Sequence, residues 1–277
     1  WKVSEKPRFF WPQISPPEAR KFCPAEHTGT AMHKIVALWA IPRSTSTAFE
    51  WMMRQRGDLE CLHEPFGEAW YQGEAPLWHR YQPGAVTTPG LTLESVWDDI
   101  QARAEKGPVF LKDFPHYISH MWTPEFLANF THAFLIRDPA KTITSMHDKW
   151  PDFHEGEVGF PEQRALFDLL WVLNGSAPPV IDSDDLLDKP EEVTQAFCDG
   201  VGIDYMPEAL SWEPGGDPSE HSWWDGGSFH ANLAQSTGLT RQKRKYIDID
   251  QSPERVQQVY RRMIPHYQRL YEHRVVV

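Results

Sequence analysis

The stretch Lys34-Ile35-Val36-Ala37-Leu38-Trp39-Ala40-Ile41-Pro42-Arg43-Ser44-Thr45-Ser46-Thr47-Ala48-Phe49-Glu50 says most about the fold. Residues 35–41 are continuously apolar, the mark of a strand buried on both faces of a parallel sheet. Pro42 stops the run and a polar loop, Arg43 to Thr47, follows. From Ala48 to Arg56 apolar residues pair four apart, Ala48 with Met52 and Phe49 with Met53, until Gly57, so a helix is predicted there. A strand that turns tightly into a helix brings unpaired N–H groups and partial positive charge to one point, which favours an anion. Arg43 and the hydroxyls of Ser44, Thr45, Ser46 and Thr47 strengthen that site. Taken alone, the loop also reads as a Ser/Thr-rich helix cap. It is not a Walker loop, because G-x-x-x-x-G-K-[ST] is absent.

Outward from this stretch, strands are predicted over 59–63, 109–112, 132–136 and 180–181. Helices are predicted over 93–104, from Asp138-Pro139 onward, and over 161–173, 190–201 and 252–274. Asp138 suits an N-cap and Pro139 a first helical position. Strands alternating with helices predict an α/β fold with a central parallel sheet flanked by helices, in a single domain over 34–277. Residues 1–33, with five prolines and little periodicity, read as an irregular N-terminal arm, and 212–240 as one long loop.

Composition narrows the function classes. The net charge of −12 argues against sequence-independent nucleic-acid binding, which needs a broad basic surface. No apolar run approaches the roughly 20 residues of a membrane helix, and no secretory leader is expected at the N-terminus. The three cysteines are widely spaced, fitting neither a disulfide framework nor a zinc site, so a reducing, cytoplasmic setting is expected. The histidines are scattered, and no metal is expected. The 13 Trp, 15 Phe and 8 Tyr leave room for an aromatic-lined pocket.

A second segment, Phe134-Leu135-Ile136-Arg137-Asp138-Pro139 with Ser145 eight residues after Arg137, puts an arginine at a strand end and a hydroxyl about two turns into the next helix. Strand carboxyl ends are where open α/β sheets bind ligands. Together with Pro42–Thr47 this resembles the sulfotransferase family that uses 3′-phosphoadenylyl sulfate as donor. Ile181-Asp182-Ser183-Asp184-Asp185-Leu186 continues the resemblance, which spans about residues 34–240. His63-Glu64-Pro65-Phe66 and Ser236-Thr237-Gly238 look most like a bacterial subgroup.

The resemblance implies a P-loop-like architecture. It implies that Arg43, Ser44, Thr45, Ser46 and Thr47 hold the 5′-phosphosulfate, and that Arg137 and Ser145 hold the 3′-phosphate. It implies sulfuryl transfer to a hydroxyl or amine of a small-molecule acceptor, leaving 3′-phosphoadenosine 5′-phosphate (PAP). Arg43 stands where many members carry Lys, and Thr45 where glycine is common. The family's C-terminal R-K-G element is missing, and Gly238 with the basic run Arg241–Lys245 stands where a replacement is expected.

Val109-Phe110-Leu111-Lys112-Asp113-Phe114-Pro115-His116 ends the third strand. The resemblance places Lys112 on the leaving oxygen. Phe114 occupies the usual histidine position, with His116 two residues on. Three bases are therefore in play: Glu64, which His63 would orient, His116, and third Asp113. Trp70, Tyr71, Trp78, Tyr117, Trp122, Trp150 and Trp224 are candidates for the acceptor pocket. A nucleotide-dependent kinase on a related sheet is the rival enzyme, lacking its P-loop lysine here. A non-catalytic nucleotide-binding protein of the same fold is the other alternative.

Overall fold

The five predicted strands form one parallel sheet. β1 is Ile35–Trp39, β2 Glu60–His63, β3 Val109–Asp113, β4 Phe130–Ile136 and β5 Val180–Asp182. The computed structural model describes residues 33–78, 87–215, 235–241 and 247–277. Strand order is β2-β3-β1-β4-β5, with β1 fully buried at the centre. Trp39 pairs with Asp113 on one side and with Phe134 on the other. The connection after β1 leads to one edge and the connection after β4 to the other. The order therefore reverses between β1 and β4, and the crevice beyond their carboxyl ends is where such a sheet accepts a ligand. Gln163, fully buried, donates through Nε2 to both Trp39 O and Leu135 O at 3.0 Å, so one amide satisfies carbonyls of both strands at this point.

The helices that position the crevice begin at strand ends. α1 (Ser46–Gln55) follows β1, α2 (Pro65–Gln72) follows β2, and α3 (Leu93–Ala104) leads to β3. The short helix α4 (Pro124–Leu127) precedes β4, α5 (Pro139–Lys149) follows it, and α6 is Phe160–Asn174. α7 (Ser183–Asp188) and α8 (Pro190–Val201) follow β5, and the last described helix is Glu254–Tyr271. Asp138 caps α5 by accepting from Ala140 N at 2.8 Å, with Pro139 in its first turn as the sequence predicts. Phe49 of α1 packs edge-on against Phe197 of α8 at 4.9 Å and lies 6.4 Å from Phe110 of β3, which fixes α1 on the sheet face.

Two expectations need adjustment. The sequence reading has no helix at 65–72, yet α2 starts directly at Pro65. Its N-cap, Glu64, sits at φ 43 in the left-handed region and makes no side-chain cap bond, so the usual cap signature is absent. The cap is instead supplied from β3, where Asp113 Oδ2 accepts from Phe66 N at 2.8 Å. The expected long loop over 212–240 includes described segments that meet: Ser211 bridges Gly238, and Trp212 N donates to Thr237 O at 3.2 Å. The expected arm over 1–33, except His33, lies outside the described residues, as do Trp224 and residues 242–245.

Candidate functional site

The loop between β1 and α1 is held in a conformation that L-residues seldom adopt. Arg43 has φ 64 and Thr45 φ 71. Such left-handed residues cost of order 1–2 kcal/mol each and cluster at functional sites. With Glu64 they are the three described non-glycine residues at positive φ, and all three are site candidates from sequence. Ser44 is fully buried and turns its hydroxyl inward, donating to Ile41 O at 2.6 Å. Ser183 Oγ donates to Ser44 O and, at 3.0 Å, to Ile136 O. One buried hydroxyl at the head of α7 thus ties the loop to the end of β4.

The two sequence segments meet here. Arg137 NH1 donates to Arg43 O at 2.7 Å, and Arg43 Nε donates to Ser145 Oγ at 3.0 Å. Arg137 and Ser145 are buried, and the loop arginine lies between them and the start of α1. Two guanidinium groups, a serine hydroxyl and a helix N-terminus converging on one crevice form an anion-binding arrangement.

Gly238 and Arg241 are engaged elsewhere. A Cβ on Gly238 would lie 2.9 Å from Leu210 O, so the bridge to Ser211 needs glycine for close approach. Arg241 forks onto α7, donating to Asp188 Oδ2 at 2.6 Å and to Asp184 Oδ1 at 3.1 Å. Asp184 also takes Lys141 Nζ at 2.5 Å. Arg241, the one described residue of the expected basic run, therefore meets carboxylates of α7 in this structure.

At the β2–β3 side of the crevice lies a largely buried charged cluster. Lys112 is fully buried, its Nζ 2.5 Å from Glu64 Oε1 and 3.7 Å from Glu50 Oε2, and 5.4 Å from the Phe114 ring centre. Glu50, fully buried on α1, accepts from Arg54 Nε at 3.0 Å through Oε1. Its Oε2 accepts from His63 Nδ1 at 2.6 Å. His63 Nε2 faces Glu64 Oε1 at 3.8 Å. Burial holds the His63 imidazole below its ordinary pKa of 6.5, against the upward pull of Glu50. Two cations and two carboxylates balance here. Such pairs roughly offset their own desolvation, but losing one member costs about 3–5 kcal/mol. Glu64 keeps a side chain 10% exposed, so it alone of the Lys112, Glu50 and Glu64 trio retains an open edge.

His116 and Asp113 sit differently. Both Asp113 oxygens are used: Oδ2 on Phe66 N and Oδ1 on Phe114 N, each 2.8 Å. Burial, then the nearby Glu64 charge, raises its carboxyl well above the usual range. His116 lies in an aromatic box, stacked on Phe114 at 5.8 Å, 4.4 Å from Tyr117 and edge-on to Trp70 at 6.1 Å. Neither ring nitrogen has a partner, and burial lowers its pKa to about 3. A Cβ on Gly159 would lie 2.6 Å from His116 Nδ1, so the backbone closes that side of the ring. Trp70, Tyr71 and Tyr117 do come together, Tyr117 at 5.6 and 5.7 Å from the other two. Trp78 pairs instead with His154 at 4.7 Å. Sequence reasoning missed Glu50. Its signal was a charged residue between Phe49 and Met52-Met53 on the buried face of α1.

The family model described as "Sulfotransferase domain" matches residues 33–270. The chain belongs to the sulfotransferase domain family. Two Arabidopsis thaliana proteins named branched-chain-amino-acid aminotransferase-like protein 2 and 1 are 28% identical over 211 residues and 26% over 214. These alignments cover 75% and 76% of this chain but 36% and 37% of theirs, so the chain spans about a third of the length of these curated relatives. Among solved structures, the sulfotransferase domain of the Synechococcus PCC 7002 olefin synthase is 15% identical, over 85% of this chain and 96% of that one, with a TM-score of 0.47. A mouse sulfotransferase complexed with PAP is 11% identical, over 86% and 85%, with a TM-score of 0.44. Among the described residues of this sulfotransferase-family chain, no helix is long and apolar enough to cross a membrane, and no group of three or more His, Cys, Asp or Glu has the geometry of a metal site.

Proposed function

We propose that this chain transfers a sulfuryl group from 3′-phosphoadenylyl sulfate to a hydroxyl or amine of a small-molecule acceptor. The observation that carries the reading is the meeting of Arg43, Arg137 and Ser145 at the N-terminus of α1, beyond the β1–β4 switch. A donor with phosphates at both the 5′ and 3′ positions needs two adjoining anion sites, and family membership supports that donor. In this reading the 43–47 loop takes the phosphosulfate, while Arg137 and Ser145 take the 3′-phosphate.

Sulfuryl transfer resembles phosphoryl transfer in its charge demands, so positioning and neutralisation do most of the work. Arg43 is permanently charged and braces the leaving phosphate without giving up a proton. Glu64 is the base: its carboxylate is held by Lys112 on one side and open on the other. Lys112 fixes that carboxylate and supplies positive potential to the crevice. His116, neutral and boxed by aromatics, belongs to the wall of the acceptor pocket together with Trp70 and Tyr117.

Titration calorimetry tests the donor site with PAP, adenosine 5′-monophosphate and ATP as separate ligands. Tight binding that depends on the 3′-phosphate supports the reading. Equal affinity for PAP and adenosine 5′-monophosphate, or preference for ATP with magnesium, overturns it.

A further inference from the structure

We propose that Glu50 and His63 form a proton relay behind Glu64, with Glu50 fixing the His63 tautomer so that Nε2 receives the proton that Glu64 takes from the acceptor. This rests on the proposed role of Glu64 as base. The Glu50 carboxylate accepts from His63 Nδ1 at 2.6 Å, which puts the ring hydrogen on Nδ1 and leaves the Nε2 lone pair facing Glu64 Oε1 at 3.8 Å. Both side chains are buried, so the pairing is built into the fold and is no surface accident. A carboxylate–imidazole pair of this kind orients the ring and stabilises its cation once formed.

In the transfer step the acceptor O–H bond breaks and its electron pair forms the bond to sulfur, while the bond from sulfur to the phosphate oxygen breaks and that pair stays on PAP. The proton lands on Glu64. Neutral Glu64 then loosens from Lys112, which remains 3.7 Å from Glu50. A small rotation brings the Glu64 O–H onto His63 Nε2, and the imidazolium lies between two carboxyl groups until the proton returns to Glu64, whose open edge hands it to solvent. Among the described residues, the charged and titratable groups around His63 are Glu50 of α1, with Arg54 on its other oxygen, Glu64 at the head of α2, and Lys112 of β3, with Asp113 beyond.

Heteronuclear NMR of the imidazole nitrogens tests the tautomer on the whole chain without any ligand, His63 being assigned by the signal lost in His63→Gln. The expected spectrum shows Nδ1 protonated and Nε2 bare at neutral pH, with Glu64→Gln shifting the His63 titration to lower pH. An Nε2–H tautomer, or a titration blind to Glu64→Gln, overturns the relay whatever the donor proves to be. Turnover gives the second arm, with 3′-phosphoadenylyl sulfate as donor and water as acceptor. His63→Gln is expected to form PAP at least about tenfold more slowly than wild type while binding PAP equally well. A matching loss of PAP affinity makes His63 a structural prop and overturns the relay. Should wild type fail to bind PAP, the proposed donor falls, and the spectrum alone decides the tautomer. If His63→Gln does not fold, Glu50→Gln provides the assignment instead: it is expected to move the hydrogen to Nε2, and a His63 signal that stays unchanged in that variant overturns the relay.

Discussion

Arg43 Nε donates to Ser145 Oγ at 3.0 Å although 102 residues separate them in the chain. A residue of the loop after β1 and a residue two turns into α5 thus share one polar contact at the sheet's switch point. Arg137 closes the triangle on the backbone, through Arg43 O at 2.7 Å. A motif that is weak in either half becomes one candidate anion site because β1 and β4 are neighbours.

Arg137→Ala and Ser145→Ala should reduce the preference for PAP over adenosine 5′-monophosphate. The arginine is expected to cost about 1.5–3 kcal/mol and the serine less, as for the loss of charge-assisted contacts. Calorimetry with the two nucleotides reads the ratio, so a general loosening of the loop cancels. An unchanged ratio in both variants assigns the 3′-phosphate elsewhere.

Glu64→Gln should lower kcat by roughly 10²-fold or more with PAP affinity nearly unchanged, whereas His116→Gln should keep most of its turnover. The basis is that Glu64 retains an exposed edge while both nitrogens of His116 are enclosed. The comparison needs PAP release from 3′-phosphoadenylyl sulfate and the PAP binding constants. A dead His116→Gln beside an active Glu64→Gln reverses the assignment.

His116 should also make the fold acid-sensitive. Its pKa is about 3 in the folded chain against 6.5 for an ordinary histidine, so the unfolded state binds more protons between those values. Stability is therefore full above about pH 6.5 and falls as pH drops towards 3, by about 2 kcal/mol at about pH 5. His132, lowered to about 4 by burial, adds loss of the same sign, and the raised Asp113 opposes it. Denaturant midpoints at about pH 7 and pH 5 isolate the contribution, because His116→Gln should lose less stability on acidification than wild type. Equal losses would place the acid sensitivity on other groups.

Thr45→Gly should raise the thermal midpoint. Thr45 holds φ 71 and makes no side-chain cap bond, so its β-branched side chain brings strain and no capping gain. Relief of that strain, less the entropy glycine adds to the unfolded chain, leaves about 1 kcal/mol or less. Calorimetric melting measures it. A lower midpoint would mean that the threonine side chain holds the loop by contacts worth more than the strain.

Local pattern was enough to locate the strands and the loop between β1 and α1. The strands are short, bounded by Pro, Gly or polar residues, and, apart from the more exposed edge strand β2, buried on both faces, so they stand out from their flanks. The same pattern marked Arg43, Glu64 and Arg137, because each stands at a strand end. The strand order β2-β3-β1-β4-β5 came only with tertiary packing, since no regular apolar–polar alternation along the strands specifies a neighbour. The helix at Pro65 was hidden for a related reason, its cap coming from Asp113 on another strand. The joining of Glu50, His63, Lys112 and Glu64 required the fold as well. They come from α1, β2, β3 and the head of α2, and only burial in one pocket turns four scattered ionisable residues into a coupled set.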